Sequence, residues 1–514
     1  MKRLHVAALV SVLGFGFTAS AQEQHAHSHS NPPPEKLGTV TFPTSCAKSV
    51  QPRFERALAL LHSFAYTASE QAFREVAEAD PKCAIAHWGV AMSLYYELWE
   101  PPGAEDYLSK GAAEIERAKK APNASPRERA FIDALAVYYA DSRQVPPATR
   151  ANAYAEAMAG VAARNPDDVE AQIFYALALI ATAPPTDRTH ANDKHAADIL
   201  EPLFRRYPQH PGIAHYLIHA YDSAELAPRG LAAARAYSKI APSAPHALHM
   251  PSHVFTRLGY WDDSIASNLA ARAAAHRDGD IGEELHAMDY LTYAYLQRGR
   301  EAEASRIVDE ARGMSGLAAN KFKIGYAANA MPVRLAIERG QWDVASKLEP
   351  LPGSEPQVAA IVYWARAIAR TRGGHADDAD ADIAKIRACQ DQLNASGNTY
   401  WATQTAVLAE AASAWQLKAR GRTDEATQRL RAAADQEDAI EKRPVTPGPI
   451  VPAREQLAEM LLELDRPQDA LREFQTALAS APGRRGALVG AAQAAERVGD
   501  AQMARKFRTQ LSAG

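Results

Sequence analysis

The sequence predicts an all-α chain built as a solenoid of helical hairpins. Two observations carry that expectation. Alanine is conspicuous throughout, in AALAVYYA, AARAAA, AAADQEDAI and GAAQAAE. At this density it favours closely packed helices and argues against a β-rich chain. The second observation is self-similarity at a fixed period, the mark of a repeat array. It overrides the two to four separate domains that 514 residues would otherwise suggest. Charge adds an exclusion: a formal net charge of −4 gives no overall basic footprint for nucleic acid.

The first element is a leader. Lys2 and Arg3 form a basic start, Ala7 to Phe17 an apolar run too short to span a bilayer, and Ala19-Ser20-Ala21 a cleavage signal. Cleavage is expected after Ala21, with no cysteine there to carry a lipid anchor and no later transmembrane stretch. The expected location is the periplasm or outside the cell. In such an oxidising space two of the three cysteines can pair. Cys46 and Cys83 flank one helical hairpin and are the expected disulfide, leaving Cys389 single. No C-x-x-C is present, so thioredoxin-type redox chemistry has no support. Residues 22–44 are polar and Pro-rich, and are expected to be a flexible lead-in.

Helical units follow, and the clearest is IVPAREQLAEMLLELDRPQDALREFQTALASAP, residues 450–482. Numbered from Val451, Leu457, Ala458 and Leu461 take positions 7, 8 and 11. Ala470, Phe474, Ala477 and Pro482 take 20, 24, 27 and 32. This resembles the tetratricopeptide repeat (TPR), with W-x2-L-G-x2-Y…A-x3-F…P over 34 residues. Small residues let two helices touch, and the proline stops the second one. The same ruler fits units from Pro211, Pro245, Leu285 and Tyr326, with weaker ones near Ala360, Val407 and Arg485. SCAKSVQPRFERALALLHSF, DPKCAIAHWGVAMS, HALHMPSHVFTRLGYWDDSI and EKRPVTPGPIVPARE together look like phrases of a group of secreted bacterial TPR proteins. The resemblance implies a right-handed superhelical α-solenoid, export and a concave binding groove, and it implies no reaction. The expected organisation is N-terminal TPR-like pairs over 45–210, central units over 211–345 and C-terminal units over 346–514.

Histidines carry what chemistry there is. Eight of the 17 lie between His210 and His286. His215 and His219 take positions 5 and 9 of their unit, and His249 and His253 take 5 and 9 of the next. His246 and His286 take position 2, and Asp289 position 5. In TPR arrays positions 2, 5, 9, 12 and 13 line the groove, so the resemblance places these side chains there, with Asp222 and Arg257 at 12 and 13. Residues i and i+4 share a helix face, and packed helices lie about 8–10 Å apart. His215/His219 and His249/His253 are therefore expected to form a two-by-two patch that His246, His286 and Asp289 extend. Imidazole suits zinc, copper, iron or nickel. The blander account is groove histidines that hydrogen-bond. H-E-x-x-H is absent, as are G-x-S-x-G, the P-loop and G-x-G-x-x-G. His25, His27 and His29 form H-x-H-x-H, either a metal-collecting tract or a polar tail.

Met250-Pro251-Ser252-His253 recurs as Met331-Pro332-Val333-Arg334, with both prolines mid-helix. Either they kink the helix or the helix starts one turn later. Trp88, Met92, Tyr95, Tyr96 and Trp99 recur at helical spacing and are expected in the core. The expected function is a scaffold that binds a protein or peptide segment in its groove, with a transition-metal site at the histidines. The alternative is a metal-dependent hydrolase or oxidase using the same cluster.

Overall fold

The computed structural model describes Met1, residues 35–95 and residues 105–513. The expected leader, the H-x-H-x-H tract, Tyr96 and Trp99 lie outside the described residues. The chain divides into compact units 1–35 and 36–514, and the helices below all belong to the second.

Among the described residues there are helices and no strands. Consecutive helices pack in pairs, as hairpins of the TPR-like kind. The first helices of successive hairpins also touch one another, as the inner layer of a curved array must. Ile281–Gln297 meets Phe322–Glu338, which meets Pro356–Arg372, and the series continues through Thr399–Ala419 and Ala453–Glu463 to Arg485–Arg497. Small residues permit this spacing. Ala304, Ala470 and Ala477 are buried at helix contacts, and a Cβ on Gly490 would fall 2.1 Å from the Phe474 ring. Adding that methyl group overpacks the contact.

Trp88, Met92 and Tyr95 are buried core, as expected. The end of the lead-in departs from expectation. Residues 36–44 are not flexible: Leu37, Val40 and Phe42 are buried, and the Thr39 amide donates to the Gln209 carbonyl at 2.8 Å. Phe42 sits 5.2 Å from Phe54 and 5.5 Å from Phe131, ring centre to ring centre. Burying those three apolar side chains offsets much of the cost of ordering the segment. Next to it, Cys46 and Cys83 form a disulfide that closes a loop of 37 residues. Cys46→Ser/Cys83→Ser should lower the stability of the N-terminal hairpins by about 4 kcal/mol on the loop-entropy account. Urea denaturation with and without reductant checks this, and coincident curves would contradict it.

The recurrent prolines do not mark delayed starts, because helix precedes each of them. Pro245–His249 and Pro251–Leu258 are two helical pieces joined at Met250, whose backbone stays helical at φ −53° and ψ −36°. Pro332 runs inside the helix Phe322–Glu338.

Two long-range contacts close the array onto itself. Between Thr423–Asp438 and Ala453–Glu463, the connecting segment crosses the inner face of the central units. The Glu441 amide donates to the Pro185 carbonyl at 2.7 Å, and Arg334 donates to the carbonyls of Pro449 and Gly448. The turn at 481–484 docks on the central units as well. Trp261 Nε1 donates to the Gly483 carbonyl at 3.0 Å. Gly259, at φ +71°, leaves room for the Pro482 carbonyl, which a Cβ there would meet at 2.5 Å.

Candidate functional site

The central first helices bring the histidines together in sets of three. In Pro211–Ala220, His215 and His219 share a face, and their Nε2 atoms stand 3.0 Å apart. His246, from the next unit, completes the first triad. Across Met250, His249 and His253 face each other in the same way, Nε2 to Nε2 at 3.0 Å. His286 of the following unit completes the second triad. Within each triad the ligand atoms lie within 4.8 Å of one another.

Each triad thus takes positions 5 and 9 from one unit and position 2 from the next. The two-by-two patch is corrected accordingly: its pairs are contiguous, with the His219 and His253 rings 6.1 Å apart, but each gains its third member from downstream. Asp289 joins neither set. Its carboxylate faces Arg334 at 3.6 Å, and burial pushes it up to about 6 although Arg334 opposes the rise. His215 and His249 are also deeper than groove-surface residues, at 0% and 1% exposed. His215 stacks on Tyr237 of the adjoining helix at 5.0 Å.

The ring tautomers follow from the hydrogen bonds. His249 Nδ1 lies 2.6 Å from Asn268 Oδ1. Asn268 spends its amide hydrogen on the Ser264 carbonyl, so its oxygen accepts and His249 Nδ1 donates. His253 Nδ1 donates to Asp222 Oδ2 at 2.9 Å. Burial opposes ionisation of Asp222, yet Lys442, Arg257 and His253 together hold it well below the usual carboxylate range. Arg257 Nε donates to Asp222 Oδ1 at 2.8 Å, and Lys442 Nζ lies 3.2 Å from Oδ2. Burial favours the neutral form of both rings: it lowers His249, helped by His253, and lowers His253 against the pull of Asp222. A neutral ring that donates from Nδ1 carries a lone pair at Nε2. Two lone pairs therefore face each other across 3.0 Å, an arrangement that repels unless a proton or a metal ion lies between them. Two nitrogens on one tetrahedral zinc, with bonds of about 2.0–2.1 Å, stand about 3.3 Å apart. Metal-bound histidines typically donate their other N–H to a carboxylate, amide or carbonyl, as both do here.

Sequence reasoning placed Asp222 in the groove without a role. It missed Asn268, Lys442 and Glu441. The last two arrive with the crossing segment, where Glu441 also pairs with Arg257 at 2.7 Å. No local pattern announces that contact.

Burial holds His215, His219, His249, His253 and His286 below their ordinary range. In the unfolded chain they protonate near pH 6.5. Below that pH the unfolded state binds more protons, so the stability of the metal-free protein falls as pH falls. Each ring contributes up to about 1.4 kcal/mol per pH unit until its folded value is reached. Denaturation midpoints at pH 7.5 and 5.5 should differ clearly. Equal midpoints would mean the rings are not held neutral.

No family model matches the chain, and no curated protein shows a significant match. Among solved structures, the human IFIT1 dimer with m7Gppp-AAAA aligns with 84% of this chain and 90% of its own, at 10% identity and a TM-score of 0.33. The P58(IPK) TPR domain aligns with 88% of this chain and 99% of its own, at 13% identity and a TM-score of 0.23. Naa15/Naa10 bound to HypK-THB aligns with 90% of this chain and 70% of its own, at 12% identity and a TM-score of 0.23. Likeness at these levels carries no argument about function, and the site is read from its own atoms.

Proposed function

We propose that this chain is an exported TPR-like scaffold that binds a transition metal (zinc, copper, iron or nickel) at His249, His253 and His286. The observation that carries this is the pair of facing Nε2 lone pairs at 3.0 Å, with both Nδ1 atoms committed to Asn268 and Asp222. The Cys46–Cys83 disulfide supports an oxidising compartment, the periplasm or the cell exterior. No helix among the described residues is long and apolar enough to cross a membrane. A protein or peptide segment in the groove remains part of the proposal. At the central units such a segment would have to displace residues 440–450, which hold that face already.

A ligand that binds only the folded state stabilises it, by about 2.7 kcal/mol at a hundredfold excess over Kd. Added Zn(II) or Cu(II) should therefore raise the thermal midpoint of the native chain. The rise should shrink in His249→Ala/His253→Ala. Equal midpoints with and without metal would overturn the proposal.

One observation favours the second reading, a metal-dependent enzyme of hydrolase or oxidase type. Three nitrogen ligands leave a tetrahedral ion one position short, as catalytic zinc sites do. The Tyr290 hydroxyl stands 3.4 Å from His253 Nε2 and would be close to an ion held there. A metal-bound structure with a water or substrate atom on the ion supports this reading, and a shell closed by protein atoms removes it.

A further inference from the structure

The constellation at His249, His253 and His286 has a counterpart one unit upstream. His215 Nδ1 donates to the His62 carbonyl at 2.7 Å, which leaves its Nε2 lone pair facing His219 Nε2 at 3.0 Å. Gly212 makes this approach possible, since a Cβ there would fall 2.5 Å from the His62 ring. The third member, His246, turns Nδ1 toward Glu283 at 3.4 Å, and Lys323 holds Glu283 from the far side at 2.7 Å. His246 Nε2 is buried with no hydrogen-bond partner. A buried ring nitrogen without a partner calls for an occupant.

A nearby cluster is more fully paired, although His210 Nδ1 there is also buried without a partner. His62 accepts from the Tyr216 hydroxyl at Nδ1, at 3.0 Å, and donates from Nε2 to Glu170, also at 3.0 Å. His210 Nε2 donates to the other Glu170 oxygen at 2.9 Å. Three of its four ring nitrogens are spent on hydrogen bonds. The set His215, His219 and His246 is not closed in this way.

The two triads also differ in access. His219, with Asp222 beside it, lines a cavity of about 720 Å³ that also takes in Asp193 and residues 441–444. His249, His253 and His286 do not reach that cavity.

We propose that His215, His219 and His246 form a second transition-metal site, so that the chain carries two ions on adjacent units, and that this second ion meets small ligands through the cavity. The proposal rests on the reading of the first site given above. The His219 and His253 rings are 6.1 Å apart and the His246 and His249 rings 6.2 Å apart, so the ions are neighbours that share the Asp222 region. The triad that reaches the cavity through His219 exchanges its ion with solution, and the deeper one retains its ion.

Equilibrium dialysis of the full chain against Zn(II), followed by elemental analysis, tests this. The native chain should hold two ions, and His246→Ala and His249→Ala one each. His219→Gln, close in size to the native ring, is the second variant in case His246→Ala fails to fold. A chelator should remove the ions in two phases, and His246→Ala should lack the fast phase. One ion in the native chain and one in His246→Ala would overturn the second site and leave the first standing. Two ions in all three variants would place the metal elsewhere and overturn the proposal. No ion in the native chain would overturn the first reading, and this one with it.

Discussion

His253→Ala is expected to weaken Zn(II) or Cu(II) binding at its triad by more than 100-fold, and Asp222→Asn by 10- to 100-fold. The first removes a ligand nitrogen. The second leaves the ligand but removes the carboxylate that fixes its tautomer, and loss of an outer partner of that kind typically costs 10- to 100-fold in affinity. The order of the two effects is the informative part. His253 Nδ1 has Asp222 as its hydrogen-bond acceptor, and Asp222 is itself held by Arg257 and Lys442. If these histidines only filled space between helices, both variants would change stability and neither would change affinity in this order. Competition titration against a chromophoric chelator measures both constants. Equal affinities for the native chain and His253→Ala would rule out this triad as the site.

Arg484→Met should destabilise the protein by about 3–5 kcal/mol, the usual cost of breaking a buried pair by removing one partner. Arg484 is 1% exposed and joins three parts of the chain. It donates to Glu455 at 2.6 Å within the C-terminal units, and to Glu338 at 2.8 Å on the central helix Phe322–Glu338. Burial pushes the Glu455 carboxyl up, and Arg484 pulls it back down. Without the guanidinium, Glu455 is left buried and unpaired, and the C-terminal hairpins lose their hold on the central units. Arg484→Met/Glu455→Gln should recover part of the loss, because replacing both partners avoids the stranded charge. Chemical denaturation of both variants checks this. A loss below about 1 kcal/mol for Arg484→Met would show that the closure does not depend on this residue.

Much of the inner layer was legible once the 34-residue register was applied, because that register is a local property of each hairpin. It put His215, His219, His249 and His253 at equivalent positions and His246 and His286 one unit on, and the structure joins those six. It failed at Asp289 because its next neighbour across the layer is Arg334, a partner set by packing and not by register. The contacts that seal the site were illegible for a different reason. His62 reaches His215 across 153 residues, and Lys442 reaches Asp222 across 220. Repeat spacing carries no information about where a solenoid folds back on itself. The end of the lead-in, residues 36–44, was misjudged despite a usable signal. Val40 and Phe42 alternate with polar residues, as a half-buried extended segment does, and both are buried.

Elemental analysis of the native chain decides whether these rings hold metal. The protein should be produced without a histidine tag, kept off metal resins and analysed for zinc, copper, iron and nickel. At least one ion per chain should survive gel filtration and be lost in His249→Ala/His253→Ala. A native chain free of all four metals, with a thermal midpoint that none of them shifts, would show that the rings hold none.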